Sequence, residues 1–182
     1  MVAYFYCDFR NSKKQEISDI LASLIAQLSA KSDPCYDIVS TLYSTFDAGS
    51  RRPADNALID CLERMLKIEG QPRTYIIIDA IDESPNRPGV VPPRERVLEL
   101  VERLVHLRLS NLRICVTSRP EADIRASLAP LSSKIVSLHD QDGQKQDISH
   151  YVIYNVNRNM RRWKEEDKKM VIDSLTRKAD GM

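Results

Sequence analysis

Three carboxylates follow a run of isoleucines in the stretch Thr74-Tyr-Ile-Ile-Ile-Asp79-Ala-Ile-Asp82-Glu83-Ser84. Isoleucine at three successive positions after Tyr75 fits a strand covered on both faces, as in a parallel α/β sheet. Asp79, Asp82 and Glu83 then stand where the strands of such a sheet emerge, which is where ligands bind in α/β folds. Carboxylates gathered there suit a hard cation such as Mg²⁺ and the water around it. The plain reading beside this is a solvated acidic turn that caps a proline-rich loop. A further alternative makes Asp79 the nucleophile of a metal-dependent phosphatase or phosphotransferase. Arg119 closes a second apolar run, Leu112 to Thr117. Its planar fork of donors fits phosphate oxygens, or a carboxylate within the fold.

Phosphate groups are commonly cradled by G-x-x-x-x-G-K-[ST], whose backbone N–H groups and lysine hold them. The five glycines are Gly49, Gly70, Gly89, Gly143 and Gly181, and none begins that pattern. Gly143-Gln144-Lys145 lacks the adjacent lysine and hydroxyl residue. These 182 residues therefore carry acids suited to a metal ion but no loop of that phosphate-cradling kind.

Composition narrows the classes. The chain is long enough for one α/β domain with a small helical appendage. A net charge of +1 gives no bias toward nucleic acid or a membrane surface, and no apolar run is long enough to span a bilayer. Cys7, Cys35, Cys61 and Cys115 form no CxxC pair and share no ligand spacing with His106, His139 or His150. Reduced, buried thiols are expected, Cys7 and Cys115 among them, and a cytoplasmic location. Trp163, among Arg161, Arg162 and Lys164, reads as a ring packed under a loop or against the final helix.

The elements that must position the acids alternate along the chain. Val2 to Phe9 reads as a strand. Ser12-Lys13-Lys14-Gln15 fits a capping box ahead of Ile17, Ile20, Leu21, Leu24, Ile25 and Leu28 at helical spacing. Helices are also expected from Pro34 to Phe46, with Ile38, Val39, Leu42 and Tyr43 inward, and around Leu58, Cys61, Leu62, Met65 and Leu66, closed by Gly70. After the acidic strand come Pro85, Pro88, Pro92 and Pro93, then a helix with Val97, Val101, Leu104 and Val105. Leu112–Thr117 is a strand, and Pro120 opens a short helix through Leu128. Lys134–Leu138 reads as a fourth strand. Two helices finish the chain, the first with Ile148, Tyr151, Val152 and Val156, the second with Met170, Val171 and Leu175. Alternation up to Leu138 predicts a three-layer parallel α/β sheet, with the domain over 1–140 and a following helical region over 141–182.

Three segments in order resemble a NACHT-type NTPase domain of the nephrocystin-like kind, within the STAND class of P-loop NTPases found in fungal NLR-like signalling proteins. Tyr4-Phe5-Tyr6-Cys7-Asp8-Phe9 resembles the strand after the P-loop helix. Residues 75–83 resemble the extended Walker B motif, and 113–120 the sensor 1 strand with its arginine. Lys178-Ala179-Asp180-Gly181-Met182 is similar to the segment leading into the family's next helix. The resemblance implies that Asp79 holds Mg²⁺ through a water, and that Asp82 and Glu83 orient or deprotonate the attacking water. It implies that Arg119 contacts the γ-phosphate of ATP or GTP. In that family nucleotide exchange moves the core against the following helical domain and switches oligomerisation.

The same resemblance places the P-loop after a first strand that lies between the sensor 1 strand and the last strand. Neither that loop nor that first strand has a counterpart here, so a truncated sheet with open interior edges is expected, as in a fragment of a longer protein. Open edges invite pairing with another chain. The expected function is thus part of a signalling NTPase that is not an ATPase by itself. The alternative is a degenerate, non-catalytic module that pairs with related chains. Both imply protein partners or self-association, with no nucleic acid and no membrane.

Overall fold

A computed structural model describes residues 1–10, 16–46, 49, 51–86, 92–137 and 142–179. They fall into two compact units, Met1–Ser132 and Ser133–Met182. The first runs β1 (Val2–Tyr6), α1 (Ile17–Ser29), α2 (Asp33–Thr45), α3 (Asp55–Leu66), β2 (Thr74–Asp79), a 3₁₀ turn (Ile81–Glu83), α4 (Pro93–His106), β3 (Leu112–Val116) and α5 (Ala122–Leu128). The strands are parallel in the order β1-β2-β3, with Tyr4 opposite Ile77 and Ile77 opposite Cys115. The chain is an α/β protein, as its alternating pattern implies.

Helical spacing explains which helices form. All six apolar residues of α1 named from spacing are buried, and so are Leu58, Cys61, Leu62, Met65 and Leu66 of α3. The capping box proposed over Ser12–Gln15 lies outside the described residues; α1 is preceded by Glu16 in extended conformation. In α2 only Cys35 is fully buried, while Ile38, Val39 and Leu42 pack partly against the core. Tyr43 is exposed, contrary to expectation, with its ring against Gly49. Pro120 precedes α5 instead of opening it.

Among the described residues of this first unit, helices cover one face of the sheet, where three layers were expected. Ala3, Phe5, Ile76, Ile78 and Leu112 are buried beneath α1, α3 and α4, whereas Val2, Tyr4, Tyr6 and Tyr75 are exposed. Topology is the reason. Two successive crossovers in one direction, each of the right-handed kind, put their helices on the same face. Covering the other face needs a reversal of strand order, which the described residues do not contain. Cys115 lies on that open face and is exposed, so it is not the buried thiol expected.

The two outer edges also differ. Gln27 of α1 donates to the Tyr4 carbonyl at 2.7 Å and accepts from its N–H at 3.1 Å. Lys31 reaches the Val2 carbonyl at 2.5 Å. The edge of β1 is therefore sealed by side chains. No described strand pairs with the outer edge of β3. Residues 134–137 form no strand, and Ile135 and Val136 are exposed; Leu138 lies outside the described residues. A short apolar run has strand propensity only in so far as a neighbour receives it.

The second unit contains α6 (Asp142–Asn159) and α7 (Glu165–Ala179). Val156 is buried, but Tyr151 and Trp163 are exposed, because two helices can bury only a narrow stripe between them. Among the described residues no helix is long and apolar enough to cross a membrane.

Candidate functional site

β2 ends on Asp79, and the chain reverses at Ala80, which sits at φ 55° and ψ 51°. That left-handed conformation costs a residue with a Cβ about 1 kcal/mol. It drops Ile81 into the core at 0% exposure and sets Asp82 and Glu83 on a 3₁₀ turn. Thr117, just past β3, ties this reversal down. Its N–H donates to the Ile78 carbonyl at 3.1 Å, its carbonyl accepts from Ile81 at 3.1 Å, and its hydroxyl accepts from the Ala80 N–H at 3.0 Å. The same hydroxyl donates to Asp79 Oδ1.

The three acids do not converge. Asp79 is held by Thr117, and Glu83 Oε2 accepts the N–H of Phe9 at 3.3 Å, beyond the end of β1. Asp82 turns to the exit of β3: its Oδ1 accepts the Arg119 N–H at 3.0 Å, and its Oδ2 lies 3.5 Å from Arg119 Nε. The Asp82 side chain is 7% exposed and that of Arg119 77% exposed, so the acid is fixed and the guanidinium is reachable from solvent. Among the described residues no three His, Cys, Asp or Glu side chains form a group that could hold a metal. A closed protein cage for a cation is therefore not built here. Mg²⁺ needs less, one or two carboxylates with waters and ligand oxygens completing its shell. Asp79, with one oxygen anchored by Thr117, fits that smaller demand.

Cys7 extends the β1–β2 ladder by donating its N–H to the Asp79 carbonyl at 3.0 Å, and its sulfur accepts from Ser84 Oγ at 3.5 Å. Burial pushes its thiol up, the Ser84 hydrogen bond works against that, and the charges of Asp79, Glu83 and Asp82 reinforce it. A thiol so placed is inert.

Arg94, in the first turn of α4, is a site residue that sequence reasoning missed. It is 7% exposed and donates to the carbonyls of Asp82 (2.5 Å) and Ser84 (3.1 Å), to Glu121, and to Asp123 Oδ2 at 3.2 Å. Burial opposes its charge, but the Glu121 and Asp123 carboxylates outweigh that and hold its pKa above the ordinary value. Asp123 is pulled below the usual carboxylate range, its partial burial being overcome chiefly by the Arg94 hydrogen bond. The signal was a charged residue on an apolar stripe, since positions 94, 97, 101 and 104 share one helix face.

A cleft of about 400 Å³ opens at this end of the sheet, lined by Phe9, Asp82, Glu83, Pro85, Arg119 and Glu121 among others. A larger hollow of about 560 Å³ follows His150, Tyr154, Arg158 and Arg161 in the second unit and contains none of the acids. A family model described as nephrocystin 3, N-terminal, matches residues 1–119. No curated protein and no solved structure matches the chain. The matched stretch begins with β1 and ends on Arg119.

Proposed function

The chain belongs to the nephrocystin 3 N-terminal family, and on that premise we propose that it forms the metal and sensor half of a nucleotide switch of the NACHT, P-loop NTPase type. Asp79 would hold Mg²⁺ through water, Asp82 and Glu83 would orient the attacking water, and Arg119 would meet the γ-phosphate of ATP or GTP. The phosphate-cradling loop would come from outside these 182 residues, which contain no G-x-x-x-x-G-K-[ST]. One observation carries the reading. Asp79 and Arg119 leave the same end of two adjacent parallel strands, and Thr117 and Asp82 join the two exits by hydrogen bonds. That end of a parallel sheet is where α/β folds bind ligands.

The test is a titration of Mg·ATP and Mg·GTP into the protein as its cell makes it. Asp79→Asn and Arg119→Ala should each weaken binding about tenfold or more, the size of one lost charge-assisted hydrogen bond. Affinity untouched by both substitutions, or no binding at all, would sink the proposal. A second reading, a non-catalytic module that pairs with related chains, is favoured by the exposed face of Val2, Tyr4, Tyr6 and Tyr75 and by the outer edge of β3, which no described strand pairs. It expects self-association without nucleotide binding.

A further inference from the structure

Arg94 closes a circuit. Its Nη2 donates to the Asp82 carbonyl at 2.5 Å, and the Asp82 carboxylate accepts the Arg119 N–H at 3.0 Å. The Arg119 carbonyl accepts the Glu121 N–H at 2.8 Å, and the Glu121 carboxylate returns to Arg94 Nη1. Two further bonds brace the ring, Arg94 Nε to the Ser84 carbonyl at 3.1 Å and Arg94 Nη1 to Asp123 Oδ2 at 3.2 Å. Asp123 is braced in turn by Asn86 at 3.3 Å. Two of the acceptors lie on the turn after β2 and two on the segment after β3. A planar group with donors on several sides can serve both at once, which a lysine's point charge cannot.

The circuit is more than general cohesion. A buried ion pair is weak evidence for stability, since apolar residues of the same volume often do as well or better. What an apolar residue could not do is fix Asp82 relative to Arg119. We propose that Arg94 is a positioning residue that locks the acidic turn and the Arg119 loop into one unit, so that a charge arriving at Arg119 is felt at Asp82 and Glu83. The identity of that charge rests on the nucleotide reading above; the lock rests on the geometry alone.

Amide hydrogen exchange on the full chain tests it. In Arg94→Lys the Arg119 N–H should exchange at least tenfold faster, while the ladder amides of β1 and β2 keep their rates. A residue that merely stabilises the fold would raise both by the same factor. Should Arg94→Lys not fold, Glu121→Gln combined with Asp123→Asn, at two half-exposed carboxylates, loosens the same circuit from outside and should give the same local change. Equal acceleration everywhere, or none at Arg119, in the variant that folds overturns the proposal. If the wild type binds Mg·ATP, the ligand should slow exchange at Arg119 and also at Glu83 and Ser84. In the variant the slowing at Glu83 and Ser84 should be lost and that at Arg119 kept; retention of both overturns the coupling. A wild type that takes no nucleotide removes the nucleotide reading, and the ligand-free exchange then decides the lock by itself.

Discussion

The two faces of the sheet are made of similar residues and meet different surroundings. Ala3, Phe5, Ile76 and Ile78 lie under helices, with Ile76 and Ile78 at 0% exposure. Val2, Tyr4, Tyr6 and Tyr75 face away from them and are exposed, the Tyr4 and Tyr6 rings 5.4 Å apart. Hydropathy along β2 does not separate the faces, because both are apolar. The direction of the crossovers does. Tyrosine tolerates the open side better than isoleucine would, since its hydroxyl stays wet while its ring covers backbone. Under the second reading proposed above, this exposed face would be where another surface docks. The site divides along the same line: Asp79 shares the alternation of Tyr75 and Ile77, while the Arg94 circuit is anchored in α4, among the helices of the covered side.

Adjacent isoleucines offer the sharpest way to break this comparison. Ile78→Ala should cost about 3–4 kcal/mol through a core cavity, and Ile77→Ala only about 1 kcal/mol. Urea denaturation measures both, and equal losses would mean that the second face is covered in solution. A smaller effect on folding is expected from Tyr4→Ser with Tyr75→Ser, within about 1 kcal/mol. If the open face is an interface, sedimentation equilibrium should show weaker self-association in that variant; an unchanged association constant would leave the face without that role. The smallest effect belongs to the covered side. Glu63 of α3, 12% exposed in its side chain, meets Lys67 at 2.7 Å and Arg103 of α4. Its burial opposes the charge, but the hydrogen bonds of Lys67 and Arg103 outweigh this and hold its carboxyl below the usual range. A depressed carboxylate lends stability that is fully present above its unfolded value of about 4.3 and lost as pH falls through the folded one. Glu63→Gln should therefore be less stable than the wild type at neutral pH by about 0.5 kcal/mol, with the gap closing in acid. A gap that persists in acid would assign the effect to packing.

Much of the fold was legible because periodicity is local. The inward residues of α1 and α3 follow from spacing, and the three strands that form were each expected. The errors share a cause. Tyr43 and Cys115 have the apolar character of core residues, and whether such a residue is covered depends on elements distant in the chain. Lys134–Leu138 has strand composition, yet residues 134–137 find no partner strand. At the candidate site, Asp79, Asp82, Glu83 and Arg119 stand out by type and by position after apolar runs. Their pairing does not, because Arg119 and Asp82 are thirty-seven residues apart.

Sequence alone determined the α/β alternation, the family resemblance over the strands and acids, and the identity of the residues at the strand ends. It could do so because propensity, periodicity and motif spacing act over a few residues. Only the tertiary structure decided that the described helices of the first unit share one face of the sheet, that α1 seals one edge, and that the acids separate toward Thr117, Arg119 and Phe9. It also decided that Arg94 leaves solvent to join two loops. Those outcomes depend on which backbone carbonyls and carboxylates a folded chain brings within about 3 Å of a donor, and sequence spacing does not encode that distance.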